Sequence, residues 1–152
     1  MRRPIAVIGL GNTLMSDDGI GVHVVQRLSG LGDKYPSVEF IDAGTGGVSV
    51  LYIIEGRQKV IFIDCARMGE QPGLIKRFTL DQAGSNKILT GRTLHEADLL
   101  KVLDMAKKLC QLQGEVVIFG IEPDRISAGM ELSKLLAERI DHYVSVICDE
   151  LQ

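Results

Sequence analysis

Two aspartates and a histidine lie at the ends of loops that could converge: Asp18, Asp64 and His95. Two carboxylates and one imidazole form an O,O,N donor set suited to a borderline divalent metal such as nickel or zinc. Three protein ligands leave coordination positions open to water or substrate. Each residue alone also has a plainer reading. Asp18 could serve as the charge partner of a helix N-terminus, Asp64 as a turn cap, and His95 as a solvent-facing residue at a helix start. Only their convergence makes a metal centre, and that depends on the elements that carry them.

The first element is Ile5-Ala6-Val7-Ile8, a continuous apolar run of the kind buried on both faces of a parallel sheet. Gly9 and Gly11 permit a sharp turn, and Ser16, Asp17 and Asp18 suit the cap and first turn of a helix bearing Val22, Val24, Val25 and Leu28. A second strand, Val38–Ile41, runs into Asp42-Ala43-Gly44-Thr45-Gly46-Gly47 and a helix through Val48, Leu51, Ile53 and Ile54. A third, Val60–Ile63, stops at Asp64-Cys65-Ala66. Strands ending in acid-bearing turns matter because open α/β sheets bind ligands beyond the carboxyl ends of their strands.

Further on, Gly73–Leu80 alternates loosely and reads as an edge strand, antiparallel to the rest, while Asp81–Arg92 reads as a long loop. Thr93 and Glu96 have capping-box spacing, which sets His95 in the first turn of a helix with Leu99, Leu100, Leu103 and Ala106 on its apolar face. Val116–Ile121 is another buried strand, and a final helix is predicted from about Glu131 to Cys148. The predicted fold is α/β: a three-layer α/β/α arrangement around a twisted, mostly parallel five-stranded sheet with one antiparallel edge strand. Residues 1–152 are expected to form a single catalytic domain.

Other chemistries fit less well. Strand, Gly-x-Gly and helix suggest a dinucleotide site, but Leu14 occupies the position reserved for Gly or Ala. Asp17 and Asp18 would also repel phosphates by roughly 1 to 4 kcal/mol each. His23 lies about 140° around the first helix from Asp18, against joint ligation. His142 reads as a surface residue, Asp17 as a helix cap, and Cys65 as facing away from Asp64 by strand alternation. Asp42 could shape its own turn or, with Gly44, Thr45 and Gly46, grip a peptide. Neither a Gly-x-Ser-x-Gly elbow nor a His-Glu-x-x-His motif is present.

Composition narrows the partners. A net charge of −3, without a basic stripe or stacking aromatics, argues against nucleic acid. No apolar run approaches the length needed to span a bilayer, and Pro4 and Gly9 interrupt the only stretch resembling a signal peptide, so a cytoplasmic protein is expected. Cys65, Cys110 and Cys148 are odd in number and widely spaced, as for reduced thiols; Cys110 and Cys148 fall in apolar helical patterns.

Taken together, Gly9-Leu10-Gly11-Asn12-Thr13-Leu14-Met15-Ser16-Asp17-Asp18-Gly19-Ile20-Gly21, Asp42-Ala43-Gly44-Thr45-Gly46-Gly47, Ile63-Asp64 and the His95 turn resemble the maturation endopeptidases of nickel–iron hydrogenases. The resemblance covers nearly the whole chain. It implies that Asp18, Asp64 and His95 are the metal-binding and catalytic positions, the first being Glu in some members and Asp in others. It further implies cleavage of a C-terminal extension from a nickel-loaded hydrogenase large-subunit precursor, with the nickel brought by the substrate. Zinc or cadmium could occupy the same ligands, and a monomer that pairs transiently with the precursor is expected. A non-catalytic nickel chaperone or sensor using the same side chains is the alternative.

Overall fold

The computed structural model describes residues 2–84, 101, 103–109 and 113–152. Its sheet has five strands: β1 (Ile5–Gly9), β2 (Val38–Asp42), β3 (Lys59–Cys65), β4 (Ile75–Thr79) and β5 (Glu115–Ile121), ordered β2-β1-β3-β5-β4. All pairings are parallel except β4 with β5, so the predicted fold class and its antiparallel edge strand are both observed. β1, β3 and β5 are buried almost throughout, which explains why their sequences are continuous apolar runs. The outer strands β2 and β4 are only partly buried and carry polar residues.

Side chains alternate across the sheet into two cores. Ala6, Ile8, Val60, Phe62, Val116 and Ile118 meet α2 (Ser49–Ile54) and a helical stretch, α4, over 103–108, through Val50, Ile54, Leu103 and Ala106. Val7, Ile61, Ile63, Val117 and Phe119 face α1 (Ile20–Ser29), α5 (Lys134–Glu138) and α6 (Ile140–Glu150). Helices therefore cover both faces, giving three layers.

Three local expectations are corrected. The start of the predicted long loop is helical, α3 spanning Leu80–Gly84; the rest of it lies outside the described residues. The predicted last helix is two helices that meet at Arg139 (φ −103°, ψ 2°), beginning only after the cap Ser133. The apolar period of Leu132, Leu135, Leu136 and Ile140 runs across that break, and so conceals it. Finally, Ser16–Gly19 is a tight 3₁₀ turn ahead of α1, and neither helix receives a side-chain cap.

Candidate functional site at the carboxyl ends of the strands

The turn after β1 is pressed against its neighbours wherever a side chain is missing. Gly11 (φ 139°) lies so near the Asp18 carbonyl oxygen that a β-carbon there would be 2.1 Å from it. The Leu10 amide donates to the Ile63 carbonyl at 2.9 Å, and Gly11 donates to the Gly44 carbonyl at 2.7 Å. These contacts fasten the turn after β1 to the end of β3, next to Asp64, and to the turn after β2, two residues beyond Asp42.

Asp18 is 6% exposed, and its Oδ2 accepts from the Asn12 amide at 3.1 Å. Asp64 is 2% exposed, and its Oδ1 accepts from the Cys65 amide at 2.8 Å. Burying a carboxylate is costly unless hydrogen bonds or a cation answer it, and both of these lie beyond or at the carboxyl ends of neighbouring strands β1 and β3. His95 lies outside the described residues. Among those described, no three His, Cys, Asp or Glu side chains gather as a metal-holding group. A metal would need a ligand from elsewhere, and the donor chemistry of Asp18 and Asp64 fits one that an imidazole completes.

Asp42 is exposed at the end of β2, where Oδ1 accepts from the Gly44 amide at 2.9 Å and so forms an Asx turn. Gly44 (φ 54°) and Gly46 (φ 77°) adopt left-handed conformations, while Thr45 is exposed between them. Cys65 is buried in the core shared with Ile63, on the opposite side of β3 from Phe62. His142 is exposed, and Cys148 packs against the α1–α6 core; Cys110 lies outside the described residues. His23 is half-buried with Nε2 lacking a hydrogen-bond partner, and burial lowers its pKa.

Asp17 does not cap α1, as the sequence suggested. Fully buried, it accepts through Oδ2 from the amides of Asp124 (3.0 Å) and Arg125 (2.8 Å), and through Oδ1 from Ser133 (2.8 Å). Sequence reasoning also missed Glu122. It is 6% exposed, and its Oε1 accepts from the amides of Met68 (2.7 Å) and Glu70 (3.0 Å). The only hint was its place directly after a buried strand and before Pro123.

The opposite edge of the sheet carries a cluster of another kind. Glu150 accepts from Arg77 Nε (2.6 Å) and Nη2 (3.1 Å) and from Lys59 Nζ (2.8 Å). The Arg77 guanidinium, more than the opposing effect of burial, holds the Glu150 carboxyl down at about 2. Tyr143, fully buried, donates its hydroxyl to the Gly73 carbonyl at 2.7 Å, and burial pushes its pKa up to about 12. Both groups hold α6 to the sheet. The Glu150 cluster stands apart from Asp18 and Asp64, whereas Tyr143 reaches the segment next to Glu122, whose carbonyl accepts from the Gly73 amide at 2.8 Å.

Comparison with known proteins identifies the family and the fold. A hydrogenase maturation protease model, HycI, matches residues 22–150. The chain is 30% identical to a Methanocaldococcus jannaschii protein described as a hydrogenase maturation protease, over 99% of this chain and 98% of the relative. It is 33% identical to the hydrogenase 2 maturation peptidase of a Thaumarchaeota archaeon, with a TM-score of 0.73 over 99% of this chain and 98% of that one. The hydrogenase maturating endopeptidase HybD of Escherichia coli shares the fold, with a TM-score of 0.83 at 22% identity over 99% of this chain and 92% of that one. The extent of these matches, together with the fold, shows that the chain belongs to the hydrogenase maturation proteases, a family of endopeptidases that act in hydrogenase assembly.

Proposed function

We propose that this chain removes the C-terminal extension from a nickel-loaded nickel–iron hydrogenase large-subunit precursor, engaging the substrate's nickel through Asp18, Asp64 and His95. The observation that carries the reading is the pair of buried carboxylates, Asp18 and Asp64, on segments joined by the Leu10–Ile63 hydrogen bond. Phe62 and Asp64 share a strand parity, and the face to which Phe62 belongs is covered by Leu103 and Ala106, downstream of His95 in the chain. Nickel held by these ligands would fix the scissile peptide beside it and supply Lewis-acid polarisation or an anchoring point. The protein's own part is to present two buried carboxylates. Zinc or cadmium would suit the same ligands.

The surface around this edge suits a protein client. Leu14, Val48 and Met130 are 60%, 62% and 72% exposed on the segments that follow β1, β2 and β5. Gly129 donates to the Leu14 carbonyl at 2.9 Å, so two of these apolar side chains come from adjoining segments. Asp42, Gly44, Thr45 and Gly46 would present backbone groups to the peptide from the β2 side. The working unit is a single catalytic domain acting in the cytoplasm as a monomer, paired with the precursor only during cleavage. Among the described residues, no helix is long and apolar enough to cross a membrane.

The test is cleavage of purified precursor with and without nickel. Asp18→Ala, Asp64→Ala and His95→Ala are expected to fold yet leave the nickel-loaded precursor uncut, by at least about two orders of magnitude. Normal processing by all three would overturn the ligand set. Binding of the precursor without any cleavage by the wild-type chain would favour a chaperone instead.

A further inference from the structure

Segment 122–133 contributes none of the proposed ligands, yet buried carboxylates fasten it to the turn that carries Asp18 and to the loop that follows the strand of Asp64. On one side is the β1 turn. Asp17 holds the amides of Asp124, Arg125 and Ser133, Ser16 N donates to the Gly129 carbonyl (2.8 Å), and Asp17 N donates to the Arg125 carbonyl (3.1 Å). On the other side is the loop after β3, where Glu122 holds the amides of Met68 and Glu70, and Ala66 N donates to the Ile121 carbonyl at 2.9 Å. Charge-assisted bonds to backbone amides are among the stronger hydrogen bonds in proteins, and their directions fix position as well as energy.

We infer that Asp17 and Glu122 are positioning residues, which use segment 122–133 as a brace that sets the separation of Asp18 from Asp64. The inference rests on the proposed function, in which those two carboxylates hold a metal. Asp17 is adjacent to Asp18 in sequence but does different work: both its oxygens are occupied by main-chain N–H groups, and its side chain has no exposed surface. In Asp17→Asn, one oxygen becomes an NH₂ that must face an N–H donor, so the turn shifts while the size of the side chain is kept. Glu122→Gln keeps the shape and weakens the grip on the second loop.

The experiment is calorimetric titration of the whole chain with cadmium, read beside melting temperature. Outer partners of metal ligands govern affinity by about 10- to 100-fold, so Asp17→Asn is expected to bind cadmium at least about tenfold more weakly than wild type, with Glu122→Gln shifted the same way. Ile147→Ala, which removes core volume beneath α6, serves as a control of comparable lost stability and should bind as wild type does. If Asp17→Asn does not fold, Ser133→Pro decides. The φ of −57° at Ser133 suits proline, which deletes one donor to Asp17 together with the hydroxyl cap on the Leu136 amide. Ser133→Ala, which loses the cap alone, is its control and should bind as wild type does. A weakening of about threefold is expected there. Wild-type affinity in the foldable brace variants, with binding lost in Asp18→Ala, overturns the brace and leaves the proposed function standing. Wild-type affinity in Asp18→Ala, or no cadmium binding by the wild-type chain, overturns the metal reading and the brace with it.

Discussion

Gly21 lies so close to Ile63 that a β-carbon at position 21 would stand 2.0 Å from the Ile63 carbonyl oxygen and 2.5 Å from that of Leu10. This contact lets the first turn of α1 rest on the end of β3. It places the segment after Asp18 against the residue before Asp64. A methyl group here meets backbone, which cannot rotate away.

Gly21→Ala is therefore expected to cost about 1–3 kcal/mol, as overpacking typically does, and to reduce precursor cleavage beyond what the lost stability explains. Urea denaturation and a cleavage assay under fully folded conditions measure the two effects. Gly30→Ala is the comparison. There the added carbon meets only the Arg27 carbonyl, at 3.4 Å, and φ is −66°, so stability and cleavage should stay close to wild type.

Asp42 offers a choice between shape and charge. Its Oδ1 accepts from the Gly44 amide, and Asn can make the same Asx turn. Asp42→Asn should retain the KM for precursor, while Asp42→Ala raises it by loosening Gly44–Gly46. If Asn and Ala raise KM equally, the negative charge itself contacts the substrate.

Glu150 links acid sensitivity to the edge remote from Asp18 and Asp64. Its carboxyl is held at about 2 in the folded chain, against an ordinary value of 4.5. Its contribution to stability is complete above about 4.5 and is lost as pH falls toward about 2. Glu150→Gln should cost about 1.5–3 kcal/mol at neutral pH, the range for hydrogen bonds to charged groups. That difference should shrink steadily in denaturation curves taken through this window.

His23 acts at milder pH. Burial lowers its pKa below the ordinary 6.5, so the unfolded chain takes up a proton before the folded one does. The stability tied to the neutral ring is whole above about 6.5 and declines as pH drops toward the folded value. His23→Leu also removes the unpartnered Nε2 and should flatten the stability profile below about pH 6.5 with little loss at pH 8. A profile unchanged by the substitution would show that His23 is not the titrating group.

The strands and their order of burial were legible because β1, β3 and β5 are covered on both faces and must be apolar throughout. Asp18 and Asp64 were legible as acids at strand ends, a local property of the sequence. Asp17 was not. Its neighbours in the chain suggest a helix cap, but its hydrogen-bond partners lie between 107 and 116 residues away, and only the folded backbone reveals them. Glu122 was missed for the same reason. The division of the last helix escaped notice because apolar spacing reports which side is buried, and both halves bury the same side.

The partners of Asp17 are amides at Asp124, Arg125 and Ser133, a type of donor that every residue except proline possesses. Almost any side chain can therefore stand at 124 and 125 without disturbing the join, whereas Ser133 also caps α5 through its hydroxyl. The outward chemistry of that stretch is thus uncoupled from the spacing of the acids it steadies.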